Sequence, residues 1–156
     1  MTPGIHLAIR SGITHRVHDY EHDPASESYG LEAAEKLGVP LERVFKTLVV
    51  SLDGRELAVA VVPVAAMLSM KLIARAAGAK KSTMADKTQV ERVTGYVLGG
   101  VSPLGQKKRL RTFIDDSAKG FATLYVSAGR RGLEIELSPG DLRDLTAGVF
   151  AQIAQA

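Results

Sequence analysis

Asp53-Gly54 separates two runs of apolar and β-branched residues, Val44-Phe45-Lys46-Thr47-Leu48-Val49-Val50 and Leu57-Ala58-Val59-Ala60-Val61-Val62. Asp-Gly suits a two-residue type I′ turn, in which both positions need φ > 0, so the runs are expected to fold back on each other as a hairpin. With Leu52 facing Arg55, Lys46 falls opposite Val61 and shares its face with Leu48, Val50, Leu57 and Val59. Both faces of such a hairpin are apolar, which requires cover on both sides. The expected fold is an α/β domain, with a mixed, mostly antiparallel sheet covered by helices.

Lys46 is the exception within its strand. An ammonium among apolar neighbours must find a partner, reach water along its own stem or lose its proton, because an unpaired buried charge is too costly to keep. Two readings follow. Lys46 stands near a strand end and reaches solvent, or it is a cation at the wall of a pocket that receives an anionic ligand.

The remaining elements can be read from caps and stop signals. Thr2 to Arg10 reads as a helix closed by Gly12, Ile13 to Tyr20 as a strand, and Ser28 caps a helix through Leu37 that Gly38 and Pro40 terminate. Ser69 to Ala77 ends at Gly78, and Asp86 with Gln89 opens a helix that stops at Gly95. Arg111 to Ile114, Ala122 to Val126 and Leu133 to Leu137 read as strands, and Ser138-Pro139-Gly140-Asp141 starts the last helix. No linker or repeat divides the 156 residues, so one domain over 1–156 is expected. The chain has no cysteine, which excludes a thiol nucleophile, a zinc–thiolate site and disulfides. No signal peptide or membrane-spanning stretch is read, so a cytoplasmic location is expected. A net charge of +3 permits a polyanionic partner.

Two further segments carry glycine-rich loops. Tyr96-Val97-Leu98-Gly99-Gly100-Val101-Ser102-Pro103-Leu104-Gly105 can turn backbone N–H groups into one concavity and hold an anion or oxyanion, or can be an ordinary turn. Lys107, Lys108, Arg109 and Arg111 follow at once, a basic run that suits phosphates or simply solvates a strand entrance. Ser127-Ala128-Gly129-Arg130-Arg131-Gly132 joins two strands and places two guanidinium forks between glycines. Familiar catalytic sets are missing. His6, His15, His18 and His22 lack the spacing and the carboxylate company of a metal site, so no metal or other cofactor is expected. Asp115 and Asp116 are neighbours in a strand and point to opposite faces, and Ser102 has no identifiable base, so its hydroxyl reads as a ligand donor.

The order Tyr20, Tyr29-Gly30-Leu31-Glu32-Ala33-Ala34, Val44-Phe45-Lys46-Thr47-Leu48, Gly99 through Lys108 and Ser127 through Ile135 closely resembles the YbaK/EbsC family. That family is similar to the editing domain inserted in bacterial prolyl-tRNA synthetases, and its YbaK branch is a freestanding deacylase of cysteine mischarged on proline tRNA. The resemblance implies that Lys46 is the lysine needed for deacylation and Gly100 the functional loop glycine. It places Tyr20, Tyr29, Thr47 and Ser127 in the pocket, with Gly99, Ser102, Pro103 and Glu134 beside them as substrate contacts. The chain departs from the pattern at Tyr29, where members have Phe, and at Glu134, where they have Asp. Lys107, Lys108, Arg130 and Arg131 would meet the tRNA.

The resemblance also implies a mechanism. In the YbaK branch the substrate's own thiol attacks its ester to give a thiolactone, and the protein contributes geometry and oxyanion donors. The implied partner is the 3′ acceptor end of a mischarged tRNA, with prolyl-tRNA synthetase as a further partner in a ternary complex. Removal of alanine, serine or threonine from a tRNA, or non-catalytic binding of an RNA end or nucleotide, are the alternative readings.

Overall fold

The computed structural model describes residues 1–26 and 28–156. Among them lie five α-helices, α1 (Pro3–Ser11), α2 (Tyr29–Leu37), α3 (Met70–Ala77), α4 (Lys87–Thr94) and α5 (Pro139–Thr146). Ten strands alternate with them: β1 (His15–Asp19), β2 (Phe45–Leu52), β3 (Glu56–Pro63), β4 (Met67–Leu68), β5 (Ser82–Met84), β6 (Arg111–Asp115), β7 (Leu124–Arg130), β8 (Leu133–Leu137), β9 (Val149–Ala151) and β10 (Ala154–Gln155). Each helix starts on a side-chain cap. Thr2, Ser28, Ser69, Asp86 and Ser138 each accept the N–H of the residue three positions on, a contact worth about 1 kcal/mol. The expected helices therefore stand where their caps place them. None of the helices of the described residues is long and apolar enough to cross a membrane.

The strands form a five-stranded mixed sheet ordered β5-β2-β3-β6-β9, a three-stranded antiparallel sheet ordered β1-β8-β7, and the small pair β10-β4. Phe45, Val59, Val61 and Ile114 on one face of the larger sheet meet Leu124, Val126, Ile135 and Leu137 of the smaller one, with Ile5 of α1 and Leu142 of α5 sealing the edges. The opposite face, through Val50, Ala58, Ala60, Val62 and Phe113, packs under Ile73 of α3 and Ile153. Helices thus cover one face as expected, while the other is covered largely by a second sheet. Asp115, buried at the end of β6, accepts N–H bonds from Ile153 (3.1 Å) and Ala154 (2.9 Å), so it fastens the C-terminal segment and is no part of an acid/base pair.

The β2–β3 register differs from the expectation by one residue. Asp53 and Gly54 both take positive φ (54° and 67°), and the Arg55 N–H reaches the Leu52 carbonyl at 3.0 Å, so the turn forms as expected. The ladder, however, resumes with Leu52 opposite Glu56, which leaves Arg55 as an extra residue. Asp53 is pinned by the N–H groups of Lys80 and Lys81, each at 3.0 Å. Lys46 consequently pairs with Val62, and its face carries Leu48, Val50, Ala58 and Ala60 rather than Leu57 and Val59. The slip exchanges one apolar set for another, so the conflict around Lys46 persists.

Candidate active site

β5 pairs with β2 only at Val50–Leu52, and an isolated parallel bridge, Val44 to Tyr125, joins the start of β2 to β7. A cavity of about 450 Å³ lies here, and Tyr20, Tyr29, Lys46, Thr47, Gly99, Ser127, Arg130, Arg131 and Glu134 all line it. Residues from five separate stretches of the chain therefore meet at one place.

Several polar groups here lack partners among the described residues. Lys46 forms no ion pair or hydrogen bond among the described residues, and burial lowers its pKa below the ordinary lysine value. The Thr47 hydroxyl is buried with no partner among the described residues. Glu134 sits opposite His18 on one side and Ser127 on the other in the β1-β8-β7 ladder. Alternation along β8 sends Leu133, Ile135 and Leu137 to the core and leaves Glu134 on the cavity side, 7% exposed. Burial raises its pKa from 4.5 to about 8, and that of the adjoining Tyr20, through burial and the Glu134 and Glu32 carboxyls, to about 12. Removing water from an unpaired carboxylate favours its neutral form.

One wall is a stack. The Arg131 guanidinium lies 3.6 Å from the Tyr29 ring centroid and donates to the Ser26 carbonyl, with Glu32 3.7 Å from its Nε. Glu32 is 4% exposed; burial would raise its pKa, but bonds from the Asp23 N–H (2.7 Å) and His22 (2.8 Å) prevail and lower it. The Tyr29 ring covers Gly99, where φ is 95° and a Cβ would fall 2.5 Å from Tyr29 Cζ. Tyr29, Leu31, Met84 and Leu98 leave apolar surface exposed at the mouth.

Several expected site residues lie elsewhere. Gly100 is absent from the lining, and its N–H donates to the Val97 carbonyl at 2.9 Å, so it cannot serve a reacting oxygen. It is tight against the β7–β8 hairpin: a Cβ there would stand 2.9 Å from Arg130 Cα. The neighbouring N–H groups of Gly99 and Val101, both lining the cavity, have no acceptor among the described residues. Ser102 is fully buried and its hydroxyl accepts the Leu104 N–H at 3.1 Å, a turn device rather than a ligand donor. Pro103 and Lys108 border a different, smaller cavity, and Lys107 is exposed on the same loop. Arg131 is committed to the wall. His18 and His22 pair with Glu136 and Glu32, at 2.9 and 2.8 Å. Val64 and Met84, neither singled out in the sequence, also line it; they are apolar and carry no local signal.

An aminoacyl-tRNA editing domain model matches residues 23–145. The chain belongs to that family. Editing-domain relatives include EbsC of Enterococcus faecalis, provisionally named a Cys-tRNA(Pro)/Cys-tRNA(Cys) deacylase, which is 40% identical over 149 residues covering 94% of this chain and 91% of that protein. A proline–tRNA ligase of Brachyspira hyodysenteriae is 25% identical over 131 residues, 74% of this chain but 23% of the ligase. A crystal structure provisionally described as a trans-editing enzyme for prolyl tRNA synthetase superposes with a TM-score of 0.84 at 22% identity, covering 100% of this chain and 99% of that one, a likeness of fold.

Proposed function

We propose that this editing-domain protein is a deacylase of mischarged tRNA, with cysteine on proline tRNA as its substrate and the substrate's own thiol as the nucleophile. One observation carries the reading: the cavity offers several unpartnered groups for holding a ligand but no activated nucleophile. Neither histidine nor cysteine lines it among the described residues, and Ser127, whose hydroxyl accepts the Gly129 N–H at 3.1 Å, has across the ladder Glu134, a carboxyl that burial favours in its neutral form. A site so furnished favours substrates that bring their own reactivity.

The steps follow from placement. Lys46 meets the phosphate or ribose of the terminal nucleotide, the Glu134 carboxyl accepts a hydrogen bond from the α-ammonium, and the N–H groups of Gly99 and Val101 receive the ester oxygen as it becomes negative. The cysteinyl thiolate, from a thiol with ordinary pKa near 8.5, attacks its own carbonyl. A C–S bond forms, the ester C–O bond breaks and the 3′ oxygen takes a proton. The released thiolactone then hydrolyses in water. Tyr29 and Leu98 at the mouth suit the face of the terminal base.

The protein would act in the cytoplasm, in trans on the product of prolyl-tRNA synthetase, and a ternary complex with that enzyme and tRNA is the finer form of the proposal. Single-turnover hydrolysis of Cys-, Ser- and Ala-charged proline tRNA tests it. Rapid release of cysteine alone is expected, with the three esters bound within about 1–3 kcal/mol of one another. Fast release of serine or alanine would show that water is the nucleophile.

A further inference from the structure

The basic run after the glycine loop does not enter the reacting cavity as a unit. Arg111 is engaged by Glu56 at 3.5 Å, by the Ala77 carbonyl and by the Phe113 ring. Lys108 and Arg109 turn instead to a second cavity, of about 160 Å³, where Arg10 from the last turn of α1 joins them. Leu7, Leu110 and Leu145 supply apolar lining, and no acid among the described residues lines it. All three cations are exposed, and none forms an ion pair or side-chain hydrogen bond among the described residues.

Three like charges around one concavity repel one another, and the backbone that carries them is anchored. The Lys107 and Lys108 N–H groups bond the Thr94 and Val93 carbonyls at 2.9 and 3.0 Å, which anchors the loop on the end of α4. α1 is fastened at its other end, where Thr2 both caps the helix and donates to the Ala128 carbonyl. Such a cluster of cations without counter-charges on an anchored backbone is suited to an anion, and the Leu98–Gln106 loop that borders the reacting cavity borders this one too. We propose that Arg10, Lys108 and Arg109 form a phosphate-binding site for the tRNA backbone, separate from the reacting cavity. The proposal rests on the reading that charged tRNA is the substrate.

The test uses uncharged proline tRNA for binding and two esters for turnover. In Arg10→Glu and Arg109→Glu, tRNA affinity is expected to fall at least about tenfold near 0.1 M salt, with the slope of log K against log salt shallower by about 0.7–0.9 per lost contact. KM for Cys-tRNA should rise with kcat unchanged, while hydrolysis of a cysteinyl ester of adenosine alone stays at the wild-type rate. Arg10→Gln and Arg109→Gln should show the same pattern in weaker form and guard against a folding defect in the acidic variants. Unchanged tRNA affinity, or equal losses on the adenosine ester, would overturn the site. So would perturbation of these residues by inorganic phosphate alone with tRNA affinity untouched, which would make it a small-anion site. Wild-type protein that binds tRNA through these residues yet hydrolyses neither ester would overturn the functional reading and leave this one standing.

Discussion

Lys46 and Glu134 are a base and an acid in one cavity with no bond between them, and each is left to the ligand. Lys46→Met is expected to lose cysteine release by at least about tenfold while melting no lower than wild type, because it removes a desolvated cation with no partner among the described residues. A clearly lower Tm would make the lysine structural. Glu134 yields a pH prediction. The folded chain holds its proton up to about pH 8, whereas the unfolded chain releases it near 4.5, so the folded state binds more protons between those values. Stability therefore falls as pH rises through that window. Glu134→Gln should melt with a shallower pH dependence between pH 5 and 8 and be the more stable protein at pH 8; parallel melting curves would mean that Glu134 is ionised throughout. At this scale the sequence was legible where a residue contradicted its pattern, as Lys46 does. Ser102 was misread because a buried turn serine and a ligand-donating one have the same local sequence, and Glu134 stood out through family resemblance alone.

The glycine loop and the β7–β8 hairpin act as one element, since Gly100 lies against the Arg130 backbone. Gly100→Ala must move one of the two backbones, and the flanking N–H groups of Gly99 and Val101 move with it. The single-turnover rate is expected to drop by about 10²-fold, more than tRNA affinity does, with a measurable loss in Tm. Equal losses in rate and affinity would show that the loop binds without assisting reaction. Caps made the helices legible, each by one side chain three residues from its target. The short strands β4, β5 and β9 escaped because two or three residues carry no periodicity, and each is defined by a partner distant in sequence. The one-residue slip at Arg55 has a similar origin: Asp53 answers to Lys80 and Lys81 as well as to its own turn.

Across the whole molecule the cations sort by position rather than by sequence. Arg131 and Arg111 are held internally, Arg130 lines the reacting cavity, and Arg10, Lys108 and Arg109 surround the second one. Affinity for tRNA should accordingly weaken steeply with salt, and Arg111→Gln should leave that slope within error of wild type while Arg109→Gln flattens it; equal slopes for both variants would contradict the sorting. That two sheets cover each other, and that helices cover only one face of the larger, was not readable, because alternating apolar strands fit either kind of cover. The cavity beside the Val44–Tyr125 bridge has one more consequence. A ligand seated there touches β2 on one side and β7 and β8 on the other, so it adds a fastening to a seam held by an apolar core and one backbone bridge. Amide exchange should slow on both margins of that seam together when a non-hydrolysable aminoacyl-adenosine binds, as the motion of a zip arrested midway.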